Sequence, residues 1–166
     1  MVFLTDSLGM GGNERTLVNL LQLLDKSYRQ DIILIVVSKN DSRIYSNQYK
    51  IPKNIQPYFI FADNYSRFIK ILLLPISLFK IIKFLSLKKV HTIFSMQDHT
   101  NLINVLLKKF IGHRVVTSER KFSLHYFGDS NKYMKYFIRF VFNKSDEIIV
   151  NDIEIKKSLI HDYKIR

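Results

Sequence analysis

Short, uninterrupted apolar runs recur along this chain, separated by stretches that have helical periodicity. The clearest run is Asp31–Ser38, "DIILIVVS", which is continuously apolar and β-branched between its polar ends. A strand that is apolar on both sides suits the interior of a parallel sheet, because helices cover both faces of such a sheet. The alternation of strands and helices therefore predicts an α/β fold.

The full pattern predicts six strands and five helices in one domain. The strands are expected at Met1–Leu4, Asp31–Ser38, Ile55–Ala62, Val90–Met96, His113–Ser118 and Asp146–Asn151. The helices are expected at Asn13–Lys26, Tyr65–Lys89, Asp98–Phe110, Lys132–Phe142 and Glu154–Tyr163. In the first helix, leucines follow the i, i+3, i+4, i+7 spacing of a buried face. Strands spaced in this way imply right-handed βαβ units in a Rossmann-like, doubly wound parallel sheet.

Four residues predict where helices begin, bend and end. Asn13 and Asp98 are expected as N-caps. Gly112 is expected to end the third helix, and Pro75 is expected to kink or break the second.

A long segment lies between the third and fourth strands, and in the usual 3-2-1-4-5-6 strand order this connection crosses to the other half of the sheet, where the order reverses. The loops Ser7–Gly12 and Met96–His99 then meet at the carboxyl edge of the sheet, where the first and fourth strands are neighbours. Ligands of doubly wound folds bind at this reversal, so we expect a ligand crevice between the two loops.

The first of these loops is rich in glycine. Ser7–Thr16 reads "SLGMGGNERT" and holds three of the five glycines in the chain. A glycine loop before a helix suits an anionic ligand, because free N–H groups and the helix dipole favour negative charge. The Walker pattern fails here because no Lys-Ser/Thr follows the glycines, and in a dinucleotide fingerprint the third glycine would fall on Glu14.

The composition and net charge limit the classes of partner and of chemistry that the chain can have. The chain has 166 residues, no cysteine and a net charge of +12. The absence of cysteine excludes a thiol nucleophile and a disulfide scaffold, and the charge favours nucleic acid, a phosphorylated ligand or an acidic membrane surface. Ile71–Phe79, the longest charge-free apolar run of interest, is far shorter than the roughly 20 residues that a bilayer span needs.

Four motifs resemble those of a known enzyme family, and they occur along the chain in the same order as in that family. "GMGGNERTLVNLL" resembles the GGxER start of glycosyltransferase family 4, and "VHTIFSMQDHTNLINVLL" resembles its fourth strand and following helix. "VVTSER" is similar to its fifth-strand motif, and "SDEIIVND" to the strand before the domain hinge. The resemblance covers nearly all of the chain.

The resemblance implies a GT-B enzyme, in which two Rossmann-like domains face each other across the active site. Residues 1–166 would be the N-terminal, acceptor-binding domain, since Arg166 falls where the hinge should begin. A further C-terminal domain would hold the nucleotide-sugar donor, and the fragment alone would be inactive. The enzyme would be a retaining, metal-independent transferase without a cofactor. It would act on a saccharide or lipid-linked acceptor in bacterial polysaccharide or lipopolysaccharide synthesis.

The resemblance also assigns candidate residues on the acceptor side. Gly11, Gly12 and Arg15 would lie against the acceptor or the donor diphosphate, although a tight turn at the glycines and a solvated arginine are equally simple explanations. Asp98 and Asn101 would bind sugar hydroxyls, or instead make local backbone hydrogen bonds.

The candidate catalytic groups are His99 and Glu119. His99 could orient the acceptor hydroxyl or transfer its proton. Many family members carry a histidine near the end of the fifth strand, but here Arg120 occupies that place as a substrate-binding candidate. Glu119 therefore becomes an alternative base, and a third possibility is that no enzyme base is needed.

A basic, aromatic helix is compatible with membrane contact, although its aromatic residues could equally belong to the core. Lys132, Lys135 and Arg139 alternate with aromatic residues in Lys132–Lys144, which suits an anionic bilayer surface. The lysines of the second helix form no single stripe at about 100° per residue. The protein is accordingly expected in the cytoplasm, with possible peripheral binding to the inner face of the cell membrane.

Two other functions are compatible with parts of the sequence. A single-domain nucleotide-binding module would explain the glycine crevice, but the acidic pocket of a response regulator is missing because Asp6 is the only carboxylate near the first strand. A nucleic-acid-binding protein would explain the charge, but no recognised RNA or DNA motif is present. We therefore expect no nucleic-acid partner.

Overall fold

A computed structural model describes residues 1–9, 11–27, 31–38, 51–61, 67–120 and 132–165. The strands are β1 (Val2–Thr5), β2 (Ile33–Ser38), β3 (Pro57–Phe61), β4 (Thr92–Ser95), β5 (Arg114–Glu119) and β6 (Glu147–Val150). The helices are α1 (Gly12–Ser27), α2 (Arg67–Leu87), α3 (Asp98–Ile111), α4 (Lys132–Lys144) and α5 (Ile153–His161). All six predicted strands and all five predicted helices are confirmed, with shifts of a few residues at their ends.

The strands form one parallel sheet in the order β3-β2-β1-β4-β5-β6, which confirms the predicted topology. Strand β1 lies at the centre, and its Phe3 is paired with Leu34 of β2 on one side and Phe94 of β4 on the other. The order reverses between β1 and β4, so the loops that follow these two strands adjoin at the carboxyl edge.

Helix α1 packs on one face of the sheet, where Leu17 and Leu21 contact Phe3 and Phe94. Helices α2 to α5 pack on the other face: Leu85 of α2 joins the cluster of Leu4 and Ile93, and α4 packs beside α3. The change of face follows from the strand order. Right-handed crossovers that run in opposite directions along a sheet place their helices on opposite faces.

Three local predictions about helix ends and bends are corrected. Helix α1 starts at Gly12, and the carbonyl of Gly11 accepts the N–H of Arg15, so Asn13 lies inside the first turn rather than at the N-cap. The N-cap of α3 is Gln97, and Asp98 is its first helical residue. Helix α2 runs unbroken through Pro75.

The end of α3 follows the prediction. Gly112 is its C-cap and adopts the left-handed conformation with φ 72°. Its N–H donates to the carbonyl of Lys108, and glycine carries no Cβ to oppose this φ.

Candidate functional site

The loops that follow β1 and β4 are joined by one side chain, that of Gln97. Its Oε1 accepts the backbone N–H of Asp6 at 2.6 Å and the hydroxyl of Thr5 at 3.3 Å. Its Nε2 donates to Oε1 of Glu14 at 3.1 Å. A single amide therefore ties the end of β1, the start of α1 and the N-terminus of α3 together at the point where the strand order reverses.

Glu14 lies against the position that a side chain at Gly11 would occupy. The Glu14 carboxylate is buried and also receives a hydrogen bond from the Ser7 hydroxyl at 3.4 Å. A Cβ on Gly11 would overlap Oε2 of Glu14. Neither Gly11 nor Gly12 has a left-handed φ, so the tight-turn explanation does not apply to them. The backbone of Gly11 is approached by a carboxylate of the protein itself.

Gly12 differs from its neighbour. It is exposed, and a Cβ built on it meets no atom within 4 Å. Arg15, one turn into α1, is also exposed. Gly12 and Arg15 are therefore both open to solvent, whereas the space beside Gly11 is occupied by an internal contact.

The loop after β4 places its two candidate residues differently. His99 is exposed, and Asp98 is half-buried at the first position of α3. The helix start is held by Gln97 and Thr100: the Thr100 hydroxyl accepts the N–H of Gln97 at 3.1 Å and donates to its carbonyl at 2.9 Å. Asp98 does not supply the cap, and its charge lies at the positive end of the helix dipole.

Asn101 lies in the interior, with 1% of its surface exposed. Its Oδ1 accepts the hydroxyl of Ser95 at 2.7 Å, and its Nδ2 donates to the carbonyl of Ser118 at 3.2 Å. The side chain thus bridges the ends of β4 and β5. This placement corrects the expectation that it faces a sugar, because both of its polar atoms are used inside the protein.

A second buried asparagine extends this bridge. Nδ2 of Asn104 lies within hydrogen-bonding distance of the carbonyls of Ile93 and Val116 and the hydroxyl of Ser95, at 3.0, 3.2 and 3.0 Å. Its Oδ1 lies 2.9 Å from Nε2 of the buried His113. These contacts define the interior polar network, consisting of Ser95, Asn101, Asn104 and His113.

His113 is neutral in this setting. Burial lowers its pKa to about 4, although the contact with Asn104 opposes the shift. Since Oδ1 of Asn104 can only accept, Nε2 of His113 carries the proton and donates. Its Nδ1 is buried without a partner among the described residues. The network therefore lacks a compensating charge for a protonated imidazole.

Glu119 and Arg120 end β5 on the same edge. Glu119 is buried, and its Oε1 accepts the N–H of Arg120 at 3.1 Å. Arg120 is half-buried, and its Nη1 is buried with no hydrogen-bond partner in the described part of the chain. Of the two candidate catalytic groups, the exposed His99 is the more accessible to a substrate.

Arg120 also lines an open, mainly apolar groove of about 630 Å³ on the α1 face of the sheet. Phe94, Val116 and Ile149 form part of its floor, and Leu20 of α1 forms part of one wall. The groove brings a cationic group and apolar surface together beside the carboxyl edge.

The residues predicted for membrane contact lie on α4, away from this edge. Lys135 is half-buried, and the side chain of Lys132 lies outside the described residues. Arg139 lines an open groove of about 1080 Å³ between α4, β6 and α5. Membrane contact through these three residues stays a prediction.

The residues that organise the edge were missed in the sequence, although two signals were present. Glu14 falls inside the glycine motif, three positions after the Gly11 that it contacts. Gln97 follows a predicted buried strand at the reversal of strand order, where polar side chains are expected to converge. Asn104 and His113 carried no such signal, because their partners come from β4 and β5.

Within the described ranges, no group of three or more His, Cys, Asp or Glu side chains is placed to hold a metal ion. Metal independence itself stays a prediction.

No protein-family model matches the sequence, and no curated protein matches it significantly. Solved structures do match. The Anabaena protein Alr3699/HepE in complex with UDP is 15% identical, with a TM-score of 0.67. The same protein with UDP-glucose is 14% identical with a TM-score of 0.66, and with UDP and glucose it is 15% identical with a TM-score of 0.66.

Each alignment covers 99% of this chain and 41% of HepE. Because the identity is low, the likeness concerns the fold alone. The chain has the six-stranded parallel α/β fold found in GT-B glycosyltransferases, and it spans 41% of the length of the HepE chain that it matches.

Proposed function

We propose that this chain is the acceptor-binding half of a retaining glycosyltransferase that takes its sugar from a nucleotide-sugar. The observation that carries the proposal is the likeness of 99% of the chain to HepE, a protein solved with UDP-glucose. The donor would be held by a further, C-terminal domain, and this chain alone would be inactive. The expected setting is the cytoplasm, in the synthesis of a bacterial surface polysaccharide, lipopolysaccharide or lipid-linked glycan.

The geometry supports different roles for the residues along the carboxyl edge. Gln97 and Glu14 hold the loops after β1 and β4 together, and Gly12 and His99 would line one crevice there. His99 is exposed there and would orient the acceptor hydroxyl or accept its proton. Glu119 is buried and would act behind the surface by fixing the backbone of Arg120.

Arg120 is the group best suited to an anionic part of the substrate. Its Nη1 is buried and unpaired within the described structure, and it borders apolar surface. A guanidinium in this setting can bind phosphate or carboxylate through two parallel hydrogen bonds. The acceptor hydroxyl would then attack the anomeric carbon of the donor in the closed cleft, where positioning and exclusion of water lower the barrier.

The test uses the protein that contains this chain together with its donor-side domain. Release of nucleoside diphosphate is measured with a panel of nucleotide-sugars, including UDP-glucose, and with saccharide and lipid-linked acceptors. We expect transfer from at least one donor without added metal. Absence of release from every donor, in protein shown to be folded, would overturn the proposal.

Substitutions test whether the acceptor site lies at the carboxyl edge of the sheet. His99→Ala and Arg120→Ala are each expected to lower kcat/KM at least tenfold, because both groups would contact the acceptor. His161→Ala is the matched control, since His161 is exposed on α5. An equal loss in the control and the two test variants would remove the assignment of the site to the carboxyl edge.

A further inference from the structure

Helix α2 exposes large apolar side chains along its outer side. Leu72 is 68% exposed, Ile76 56%, Phe79 68% and Leu87 75%. At about 100° per residue, these four side chains and that of Lys83 fall within an arc of roughly 80°. The exposed apolar residues of α2 thus form one stripe, although its lysines taken alone do not.

The opposite side of α2 is apolar as well. Ile81 and Leu85 are buried against the sheet in the cluster that contains Leu4 and Ile93. The helix therefore needs only its inner side for the core, and the outer stripe has no packing role within the described structure. Contiguous exposed apolar patches, unlike single scattered residues, are typical of interaction sites.

Neighbouring helices continue the stripe. Helix α3 packs between α2 and α4 on the same face of the sheet. It exposes Leu106 and Phe110, and α4 exposes Tyr136 and Phe140. We name these eight exposed residues of α2, α3 and α4 the outer apolar surface: Leu72, Ile76, Phe79, Leu87, Leu106, Phe110, Tyr136 and Phe140.

The charged residues of α2, α3 and α4 are all basic apart from one. Helices α2 and α4 contain no Asp or Glu, and α3 contains only Asp98, which lies in its first turn. Each of the three carries Lys or Arg, and Lys80, Lys83 and Lys109 are exposed beside the apolar side chains. Helix α1 on the other face carries both Glu14 and Asp25 as well as basic residues.

We propose that the outer apolar surface is a docking face for an anionic lipid bilayer. Apolar side chains would enter the boundary between headgroups and acyl chains, and the adjacent lysines would contact anionic headgroups. None of the helices in the described residues is long and apolar enough to cross a bilayer, so the helices would lie on the surface. The face is centred on α2, and α4 contributes Tyr136 and Phe140 to it.

Tryptophan fluorescence can test each part of the surface, because the chain contains no tryptophan. We would prepare Phe79→Trp and Tyr136→Trp on the proposed face. Leu23→Trp serves as the control, since Leu23 is exposed on α1 at the opposite face. Vesicles of phosphatidylcholine, with and without phosphatidylglycerol, are added in the absence of any sugar.

With phosphatidylglycerol vesicles, we expect a blue shift of emission for the two variants of the face and none for Leu23→Trp. Lipids with a quencher in the acyl chain should quench the same two variants. No shift at Phe79→Trp, or an equal shift at Leu23→Trp, would overturn the proposal. The measurement needs no transferase activity, so its failure is distinct from a failure of the proposed function.

Co-sedimentation measures how much each group contributes to binding. Leu72→Ser with Phe79→Ser is expected to lower the vesicle partition coefficient at least tenfold. Lys80→Ser with Lys83→Ser should lower it about fivefold per lysine at low salt and weaken its salt dependence. Leu23→Ser and Lys26→Ser on α1 are the matched controls and should bind like the parent protein.

Size-exclusion chromatography and circular dichroism complete the design. Unchanged spectra of the serine variants would show that lost binding is not lost folding. A dimer that disappears in Phe79→Ser, together with no vesicle binding by the parent protein, would assign the face to a second copy of the chain and overturn the lipid proposal. Equal binding to phosphatidylcholine alone would overturn the anionic part of it.

Discussion

The interior polar network and the outer apolar surface place residues against their usual preferences. Asn101, Asn104 and His113 lie in the interior between β4, β5 and α3, whereas Leu72 and Phe79 face outward from α2. Interior asparagines are tolerated where the protein satisfies their hydrogen bonds. Outward apolar residues are tolerated because their side chains are exposed to water in the unfolded chain as well, so folding does not make their exposure worse. The buried polar groups therefore contribute to fold stability, while the exposed side chains of Leu72 and Phe79 contribute little to it.

The largest effect is expected from Asn104→Leu. The substitution removes the amide that faces the carbonyls of Ile93 and Val116, and it leaves buried groups unpaired. We expect the free energy of unfolding to fall by about 3 kcal/mol or more, measured by urea denaturation.

Asn19→Leu is the matched control, since Asn19 is exposed on α1. It should change the free energy of unfolding by less than about 0.5 kcal/mol. Equal effects of the two substitutions would mean that the network does not stabilise the fold.

The second effect concerns pH and His113. Its pKa is lowered to about 4 in the folded protein, against 6.5 in the unfolded chain. Between these values the unfolded chain binds the proton more readily, so the stabilisation is complete above pH 6.5 and is lost as pH falls. We expect the free energy of unfolding to drop by about 2 kcal/mol from pH 7 to pH 5.

His113→Gln removes the titrating group and can retain a donor towards Asn104. Its stability should vary less over the same pH range. Asp146 does not interfere, because Lys108 holds its pKa below 3.8 and its loss of stabilisation falls at more acidic pH. A parent protein with the same stability at pH 7 and pH 5 would contradict the buried, neutral state of His113.

A smaller effect separates two adjacent glycines. Gly11→Ala would push the Glu14 carboxylate away from Gln97, and we expect a loss of about 1–2 kcal/mol. In Gly12→Ala the added Cβ meets no atom within 4 Å. The substitution should be neutral or slightly stabilising, because alanine loses less conformational entropy than glycine when it enters a helix.

Glu14→Ala provides the decisive background for this pair. In it, Gly11→Ala should cost much less than in the parent protein, because the overlapping carboxylate is absent. Urea denaturation of the four combinations measures the coupling. An undiminished cost would show that Gly11 is required for another reason.

The smallest effect is expected on the outer apolar surface. Phe79→Ala should change the free energy of unfolding by no more than about 0.5 kcal/mol, since the side chain is already exposed. Leu85→Ala, on the buried side of the same helix, should cost about 2–5 kcal/mol. A large loss in Phe79→Ala would mean that its side chain supports the fold and not a partner.

Much of this architecture follows from the sequence alone. Continuous β-branched runs such as Asp31–Ser38 predict buried parallel strands, and the long connection before β4 predicts the reversal of strand order that the sheet shows. Gly112 predicts the end of α3 because left-handed φ values favour glycine. These features depend on residues close together in the chain, or on general rules of handedness that hold for any βαβ unit.

The roles of individual side chains were decided only by tertiary contacts. Asn101 donates a hydrogen bond to the carbonyl of Ser118, and Gln97 contacts both Glu14 and Asp6, the latter more than ninety positions away. Local periodicity also gave α2 no clear outer side, because both of its sides are apolar and only the sheet determines which one is buried. Contacts between distant segments depend on how strands align and how helices pack. Neither can be deduced from the spacing of neighbouring residues.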